Sequence, residues 1–306
     1  MAQHEAGDAD TPGAVQDGRK EFPEGMTESA DERPPAPDID ISKPHVARMY
    51  DYFLGGRNNY AADRAAAERF LKVMPQVRAG ARANRRFLVD SVRWLAREAG
   101  VRQFLDIGSG LPTQQNVHEV AHAIDGGTRI AYIDNDPLVR VHAEKLLATT
   151  PNTIMIEGDL RDPEALLERP ELRDHLDFSQ PIALLLVAVL HFIPETEQAY
   201  RITRTLYDAL PSGSYVALSH ATISANPGDK EKEAIAIYRR ANSGVFPRTA
   251  EEVVRFFTGL TPVGSGLVHI SEWRLPGDSG GGVAALGDRA VLEQLPGMCG
   301  VARIDR

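Results

Sequence analysis

One stretch, residues 104–113, constrains the fold more than any other part of the chain. The apolar run 101–107 predicts a buried parallel strand, and Gly108-Ser109-Gly110 follows it directly. Apolar residues then recur at helical spacing, at Val117, Val120, Ala121 and Ile124. A Gly-x-Gly bend between a strand and a helix lets a ligand approach bare backbone beside the N–H groups of a helix N-terminus. This corner therefore predicts a site for a nucleotide-type cofactor.

Strands and helices alternate after the corner. Further strands are predicted at residues 129–133, 153–157, 181–190, 215–219 and 266–273, with a last strand at 298–304. Such alternation implies right-handed crossovers and an α/β fold, a doubly wound parallel sheet with helices on both faces. Residues 275–296 show no clear period and are predicted to form an insertion loop.

The region before the corner divides in two. Residues 1–40 hold 11 acidic and 3 basic residues, so they carry −8 of the chain's −9 net charge, and we predict that residues 1–42 form a disordered acidic arm. Residues 43–100 predict three helices. Ser42 is expected to cap the first helix and Gly55-Gly56 to end it, with Asn58 or Asn59 capping the second. By analogy with the fold, this helical segment is expected to be a lid on a domain formed by residues 101–306.

Composition disfavours several classes of partner. Outside the arm the chain is nearly neutral and has no basic tract, which argues against a nucleic-acid partner. The longest apolar run, 182–190, is far shorter than the ~18 residues of a membrane span, so no membrane partner is expected. The single cysteine, Cys299, excludes an internal disulfide and a multi-cysteine zinc site and fits a reducing cytoplasm. No metal is expected.

Three carboxylates stand at the ends of successive predicted strands: Asp106, Asp134 and Asp159. Ligands of doubly wound sheets bind outside these strand ends. One such carboxylate could simply cap the next helix, but three beside a glycine bend favour a ligand site. The carboxylate after the second strand suits the two hydroxyls of a ribose. Asp159 and the N–H of Leu160 suit an adenine edge.

The class of cofactor follows from what the bend lacks. A dinucleotide fingerprint requires a third glycine where this chain has Thr113, and a P-loop requires a lysine that is absent here. Asp106, just before the bend, would repel a pyrophosphate and attract an ammonium group. S-adenosylmethionine is therefore the predicted cofactor, and a nicotinamide oxidoreductase is a disfavoured alternative.

Several separated motifs resemble those of class I S-adenosylmethionine-dependent methyltransferases: Asp106-x-Gly108-x-Gly110, Asp134-x-Asp136 and Gly158-Asp159-Leu160. More narrowly, the chain resembles an actinobacterial S-adenosyl methyltransferase family formerly filed as a domain of unknown function. The motifs that carry this resemblance lie at residues 44–56, 58–60, 63–64, 84–88, 108–113 and 187–192. The resemblance covers residues 41–303.

The resemblance implies a seven-stranded Rossmann-like methyltransferase sheet whose last strand is antiparallel, with an N-terminal helical extension. It also implies that S-adenosylmethionine binds at the strand ends. The implied cofactor residues are Asp106, Gly108, Ser109, Gly110, Asp134, Asn135, Asp136, Asp159, Leu160 and Ala188. It implies no particular methyl acceptor.

Candidate catalytic residues follow the fourth and fifth strands. The fourth ends in Leu-His rather than the Asn/Asp-Pro-Pro-aromatic motif of methyltransferases that act on exocyclic amines, and so resembles small-molecule methyltransferases. His191 is a candidate base because histidine titrates near neutrality, and a hydrogen-bonded structural histidine is the alternative. His220 is a second candidate, and proximity alone is a third route. Candidate substrate or lid residues are Tyr50, Arg57, Asn59, Tyr60 and Arg85, of which Tyr50 could equally be core.

The sequence therefore predicts a cytoplasmic S-adenosylmethionine-dependent methyltransferase that acts on a small molecule by O- or N-methyl transfer. Because no base is compelling, a non-catalytic S-adenosylmethionine-binding or regulatory protein is the alternative. A homo-oligomer is compatible with the sequence.

Overall fold

The computed structural model describes residues 40–111, 115–137, 139–141, 150–239, 244–277 and 289–306. Its centre is a seven-stranded sheet of β1 (Gln103–Ile107), β2 (Arg129–Asp134), β3 (Thr153–Glu157), β4 (Ala183–Val187), β5 (Tyr215–Ala221), β6 (Thr261–His269) and β7 (Gly297–Arg303). The strand order is β3-β2-β1-β4-β5-β7-β6. The neighbouring pairs among β1 to β5 are parallel, and β7 is antiparallel to both β5 and β6. The predicted α/β fold with an antiparallel last strand is confirmed.

Strand order reverses at β1, which pairs with β2 on one side and with β4 on the other. Doubly wound sheets bind ligands in the crevice outside the carboxyl ends of the strands at such a point. Asp106, near the end of β1, lies opposite Tyr132 of β2 and Leu185 of β4. The predicted cofactor corner therefore sits at the switch point of the sheet.

Ten helices are described beside the sheet: α1 (Val46–Leu54), α2 (Ala61–Val73), α3 (Val77–Arg97), α4 (Val117–His122), α5 (Pro163–Leu167), α6 (Pro170–His175), α7 (Thr196–Asp208), α8 (Asp229–Tyr238), α9 (Ala250–Val254) and α10 (Arg289–Leu292). Two 3-10 turns span Leu190–Phe192 and Arg255–Phe257. Alternate residues of β4 serve opposite faces: Leu184 and Leu186 share a core with α7, and Leu185 shares another with α3. Burial on both faces explains why this strand reads as a continuous apolar run.

Two predicted helix starts are wrong for local reasons. His45 caps α1 instead of Ser42, because Nδ1 of His45 accepts the N–H of Ala47 at 3.3 Å, whereas Oγ of Ser42 donates to Asp40. Helix α2 is capped at Tyr60 rather than at Asn58 or Asn59. The predicted end of α1 is confirmed, since Gly55 takes the left-handed conformation with φ +83°.

Strand boundaries also differ. β4 ends at Val187 because Ala188 has φ +56°, which breaks the extended chain. β6 begins before residue 266 and ends before residue 273. Gly264 and Gly266, both at positive φ, lie in a register shift that interrupts the alternation of inward and outward side chains along the strand. Within the predicted loop 275–296, residues 289–292 are helical. Pro112, Thr113, most of the arm, the helix end near residue 147, residues 240–243 and residues 278–288 lie outside the described part.

Candidate functional site

A cavity of about 410 Å³ opens at the carboxyl ends of β1, β2, β4 and β5, beneath α1, α2, α3 and α8. This volume falls within the roughly 300–1,000 Å³ typical of small-molecule sites. The cavity gathers most of the predicted site residues: Tyr50, Arg85, Asp106, Gly108, Ser109, Gly110, Asp134, Asn135, Asp159, Leu160, Ala188, His191 and His220.

Asp136, a predicted cofactor residue, lies behind the cavity lining and contacts the N-terminal helices. Its Oδ2 lies 3.1 Å from Nε2 of His45. Nδ1 of His45 accepts the N–H of Ala47, so Nε2 is the ring nitrogen that faces Asp136. Burial lowers the pKa of His45 more than the nearby Asp136 raises it, which favours a neutral ring in this polar contact. The contact brings the start of α1 next to the end of β2.

Arg57, Asn59 and Tyr60, predicted as substrate or lid residues, do not line the described cavity. The amide of Asn59 donates to Oδ2 of Asp51 at 2.8 Å, and both residues are buried. The N–H of Tyr60 donates to Asp63 at 2.8 Å, and Arg57 is exposed. These three residues therefore lie outside the described cavity lining, and Asn59 and the N–H of Tyr60 bond to carboxylates of the N-terminal helices, while their role toward a substrate stays a prediction.

The glycine bend binds its own sheet through all three of its N–H groups. Gly108 and Ser109 donate to the carbonyl of Ile133 at 2.8 and 3.3 Å, and Gly110 donates to Oδ2 of Asp134 at 2.8 Å. A phosphate site needs such N–H groups to point at the ligand. With these donors already bonded, the bend suits a cofactor without phosphate at this point.

Two further features of the bend refine the prediction. Gly108 has φ +73°, and a Cβ built there would lie 2.3 Å from Cγ2 of Val189, so only glycine fits. The next helix, α4, begins only at Val117 and its cap residue Asn116 donates its N–H to Glu119 at 2.7 Å. The expected helix N-terminus at the ligand is therefore wrong for the described residues.

The carboxylates of Asp106 and Asp134 give the cavity a negative potential. Burial raises the pKa of Asp106 to about 7, with Arg85 opposing the shift and Asp134 adding to it. Burial also raises the pKa of Asp134, although the N–H groups of Gly110 and Asp136 partly offset the effect. Two neighbouring carboxyl groups, one buried and one half-buried, favour a ligand that carries positive charge.

Asp159 lies at the cavity edge and is bound by a neighbouring side chain. Nε of Arg161 lies 2.9 Å from both carboxylate oxygens, and the Arg161 N–H also donates to Asp159 at 2.9 Å. Burial alone would raise the pKa of Asp159, but its hydrogen bonds and ion pair with Arg161 lower it. Leu160, which follows it, is buried and lines the same edge.

Both candidate bases are occupied by other groups. Nδ1 of His191 accepts the N–H of Ala221 at 3.3 Å, which leaves the ring proton on Nε2; burial and the charge of Arg248 lower the pKa to about 3. Nδ1 of His220 donates to the carbonyl of Ala221 at 2.6 Å, and its Nε2 accepts from Arg248 at 2.9 Å. Burial takes the pKa of His220 well below its usual value. This bonding opposes a general-base role for either ring.

Arg248 is a buried residue of the site that sequence reasoning missed. Its guanidinium donates to the carbonyls of Leu190 at 3.1 Å and Ile193 at 2.9 Å, in addition to His220. It thereby joins the turn after β4 to the end of β5. Its acceptors are backbone oxygens and one ring nitrogen, which leave no pattern in a sequence.

A row of hydrogen bonds, here called the polar chain, crosses the cavity and was also missed. The N–H of Ala188 donates to Oγ of Ser219 at 2.9 Å, and that hydroxyl donates to Oδ1 of Asn84 at 2.6 Å. Nδ2 of Asn84 donates to the hydroxyl of Tyr50 at 3.0 Å, which donates to the carbonyl of Ala81 at 3.2 Å. The polar chain fixes Ala188, whose φ of +56° is unusual for a residue with a side chain.

Beyond the polar chain the cavity becomes apolar. This apolar chamber is lined by Phe53, Phe70, Met74, Val77, Ala234 and Tyr238, which belong to one packed cluster. The ring centroids of Phe70 and Tyr238 lie 4.6 Å apart in an edge-to-face arrangement. Tyr50 packs against the same cluster and carries the polar chain to its border. The cavity thus has a carboxylate-rich end and an aromatic end.

The described residues lack a metal-binding cluster and a membrane-spanning helix. They contain no group of three or more His, Cys, Asp or Glu side chains arranged to hold a metal ion. No helix in this part of the chain is both long and apolar enough to cross a membrane.

Comparison with known proteins gives a consistent result. The sequence matches the S-adenosyl methyltransferase family over residues 32–305. A candidate methyltransferase from Thermobifida fusca is 39% identical, with a TM-score of 0.79 over 89% of this chain and 99% of that one. A DUF574 family protein from Streptomyces avermitilis is 38% identical, with a TM-score of 0.79 over 87% of this chain and 99% of its own. Among curated proteins, none matches significantly.

Proposed function

This chain belongs to the S-adenosyl methyltransferase family and is an S-adenosylmethionine-dependent methyltransferase, and we propose that it methylates a small molecule held between the strand ends and the N-terminal helices. One observation carries the proposal. A single cavity joins the buried carboxyl group of Asp106 and the half-buried one of Asp134 to the apolar chamber. Such a cavity provides for a cationic cofactor at one end and an organic acceptor at the other.

The carboxylate-rich end fits S-adenosylmethionine in its chemistry. Asp106 and Arg85 offer opposite charges for the amino and carboxylate groups of the methionine part. Asp134 and Asn135 offer oxygen acceptors for the ribose hydroxyls. The bend of residues 108–110 lets the cofactor approach the backbone closely, while its N–H groups are already bonded and are not directed at a phosphate. When bound, the cofactor supplies a methyl carbon made electrophilic by a positively charged sulfur.

The adenine would lie at the edge formed by Asp159 and Leu160. Asp159 already accepts several bonds from Arg161, so an adenine amine would share that carboxylate. The N–H of Leu160 is the complementary donor for a ring nitrogen. Ser109, the middle residue of the bend, and Ala188 would complete the walls around the methionine part.

The chain's own residues contribute positioning more than proton transfer. In the tautomers that their hydrogen bonds favour, the lone-pair nitrogen of His191 and that of His220 each already accept a hydrogen bond, which opposes a general-base role. Helices α1, α2, α3 and α8 line the acceptor side. Holding two reactants in one orientation supplies a large share of a barrier reduction. The acceptor must therefore bring a reactive oxygen or nitrogen of its own.

Two organisational proposals accompany this function. Residues 43–100 act as the lid over the domain of residues 101–306, and the His45–Asp136 pair is a polar contact of this lid next to the cofactor end. Residues 1–42 are proposed to form a separate acidic arm, and the protein is proposed to act in the cytoplasm, where its single cysteine stays reduced.

The test separates binding from transfer. Calorimetry should show S-adenosylmethionine binding, and Asp134→Ala should weaken it by ~1–3 kcal/mol because a ribose acceptor is lost. A screen of small-molecule extracts with methyl-labelled cofactor should then yield labelled product, and His191→Ala should retain turnover. Binding without any labelled product would favour a non-catalytic S-adenosylmethionine-binding protein. Loss of turnover in His191→Ala with an intact fold would restore His191 as a catalytic group.

A further inference from the structure

We infer that the methyl acceptor is an uncharged, ring-bearing apolar molecule that fills the apolar chamber and meets the polar chain through one polar atom. The inference rests on the proposed function, because it assigns the second half of the same cavity. It specifies the class of acceptor, which neither the family match nor the related structures define.

The aromatic character of the chamber favours a ring. Phe70 of α2 packs edge-to-face on Tyr238 of α8, and the rings of Phe53 and Phe70 lie 6.0 Å apart. Phe53 and Phe70 are buried, and they line the cavity with Tyr238 and Met74. Aromatic rings gain from edge-to-face and offset contacts beyond what their buried area provides, and a thioether adapts to ring edges.

The charges around the chamber exclude an anion. Among the described lining residues the only arginines are Arg85 and Arg161, and both lie beside the carboxylates of the strand ends. The described lining has no lysine. An anionic acceptor would lose its hydration without meeting a cation, and it would face the carboxyl groups of Asp106 and Asp134.

A cationic acceptor is equally unsupported. Glu231 is the carboxylate of α8 that lines the cavity, and it is engaged at the start of its own helix. It accepts the N–H of Gly228 at 2.8 Å and the hydroxyl of Ser224 at 3.1 Å. His220 is neutral and bonded on both ring nitrogens.

The polar chain supplies the docking groups, and all of them are neutral. Nδ2 of Asn84 carries two hydrogens, of which one is donated to Tyr50, and Oδ1 has a second lone pair beyond the one used by Ser219. One N–H and one lone pair therefore remain for a ligand at the border of the chamber. A single hydroxyl, carbonyl or neutral amine on the acceptor would satisfy them.

The test uses protein saturated with S-adenosylhomocysteine, whose own affinity is measured first by calorimetry. Binding of 2-naphthol is then compared with that of naphthalene-2-sulfonate and of 2-naphthylmethylammonium by ligand-observed NMR. We expect 2-naphthol to bind about tenfold or more tightly than either ion. Equal binding of an ion, or no binding of 2-naphthol at its solubility limit, overturns the inference. Failure of S-adenosylhomocysteine to bind would instead contradict the proposed function.

Variants locate the binding. Phe70→Ala should weaken 2-naphthol by about tenfold through lost ring contacts, and Asn84→Ala should weaken it without changing the preference over ions. Phe178→Ala is the matched control, because Phe178 is a half-buried ring outside the cavity lining, stacked by Arg173. Phe70→Ala and Phe178→Ala should keep wild-type affinity for S-adenosylhomocysteine. An equal loss of 2-naphthol binding in Phe178→Ala, or no loss in Phe70→Ala, places the ligand elsewhere and refutes the assignment.

Discussion

Asp106 should make cofactor affinity depend on pH within the physiological range. Burial raises the pKa of this carboxyl group to about 7, so the free protein holds a mixture of protonated and ionised forms near neutrality. A cofactor with an ammonium group and a sulfonium group binds the ionised form. Binding therefore requires the loss of a proton below pH 7, and affinity must fall as the solution becomes more acidic.

The expected magnitude follows from the fraction of ionised carboxylate. With a pKa of about 7, the apparent dissociation constant is about twofold above its limiting value at pH 7, about elevenfold above it at pH 6 and about a hundredfold at pH 5. The contribution of Asp106 to folding stability depends on pH in the opposite sense to cofactor affinity. Because the folded pKa is above the unfolded value of 3.8, this group's stabilisation is complete below about pH 4 and is lost as pH rises through 7.

Titration calorimetry with S-adenosylmethionine between pH 5 and 7.5 measures the affinity at each pH. Repeating it in two buffers of different ionisation enthalpy reports the proton that binding releases. Asp106→Asn should bind more weakly at pH 7.5 and should lose the pH slope. Asp159→Asn is the control: the pKa of Asp159 is lowered, so this carboxylate is already ionised across the range and the slope should remain. A flat wild-type profile, or the same slope in Asp106→Asn, would refute the reasoning.

Two further predictions concern packing. Gly108→Ala should abolish measurable cofactor binding, because at φ +73° its Cβ would lie 2.3 Å from Cγ2 of Val189. Gly110→Ala is the control: its Cβ meets no atom within 4 Å, so it should weaken binding only by the ~1 kcal/mol of backbone strain. Equal effects of the two variants in calorimetry would contradict this. Arg48→Met should lower the free energy of unfolding by ~3–5 kcal/mol, because it leaves the buried carboxylate of Asp63, 2.7 Å from Nε of Arg48, without its cation. Urea unfolding of the Arg48→Met/Asp63→Asn double variant should recover part of that loss, because the amide removes the uncompensated charge while its oxygen still accepts one of the two backbone N–H groups that Asp63 binds. No recovery would show that the uncompensated charge is not the cause.

The central strands of the sheet were predictable because they are buried on both faces. β4 is an unbroken apolar run, every residue of β1 is buried, and β2 is apolar between its polar ends. An acid or a glycine marks where β1, β2 and β3 reach the ligand edge. Asp106 and Asp134 were therefore identifiable from local sequence alone. The bulge in β6 was not, because two glycines at positive φ interrupt the alternation on which strand prediction depends.

The acceptor end was less predictable because its residues act through contacts distant in sequence. Asn84 stands inside a recognised motif, yet its partner Ser219 lies on another element and carries no motif of its own. His191 looked like a base because a free histidine titrates near neutrality. Only the folded structure shows that its Nδ1 receives a backbone N–H beside Arg248.

The polar chain from Ala188 to Ala81 can run in one direction only. It starts at a peptide N–H, which cannot accept, and ends at a peptide C=O, which cannot donate. The hydroxyls of Ser219 and Tyr50 must therefore rotate to the same sense, and the amide of Asn84 cannot flip without breaking two bonds. The row is an aligned set of dipoles whose orientation is set before any ligand arrives, so docking requires no reorientation. An acceptor that demands the reverse polarity would have to turn every member at once.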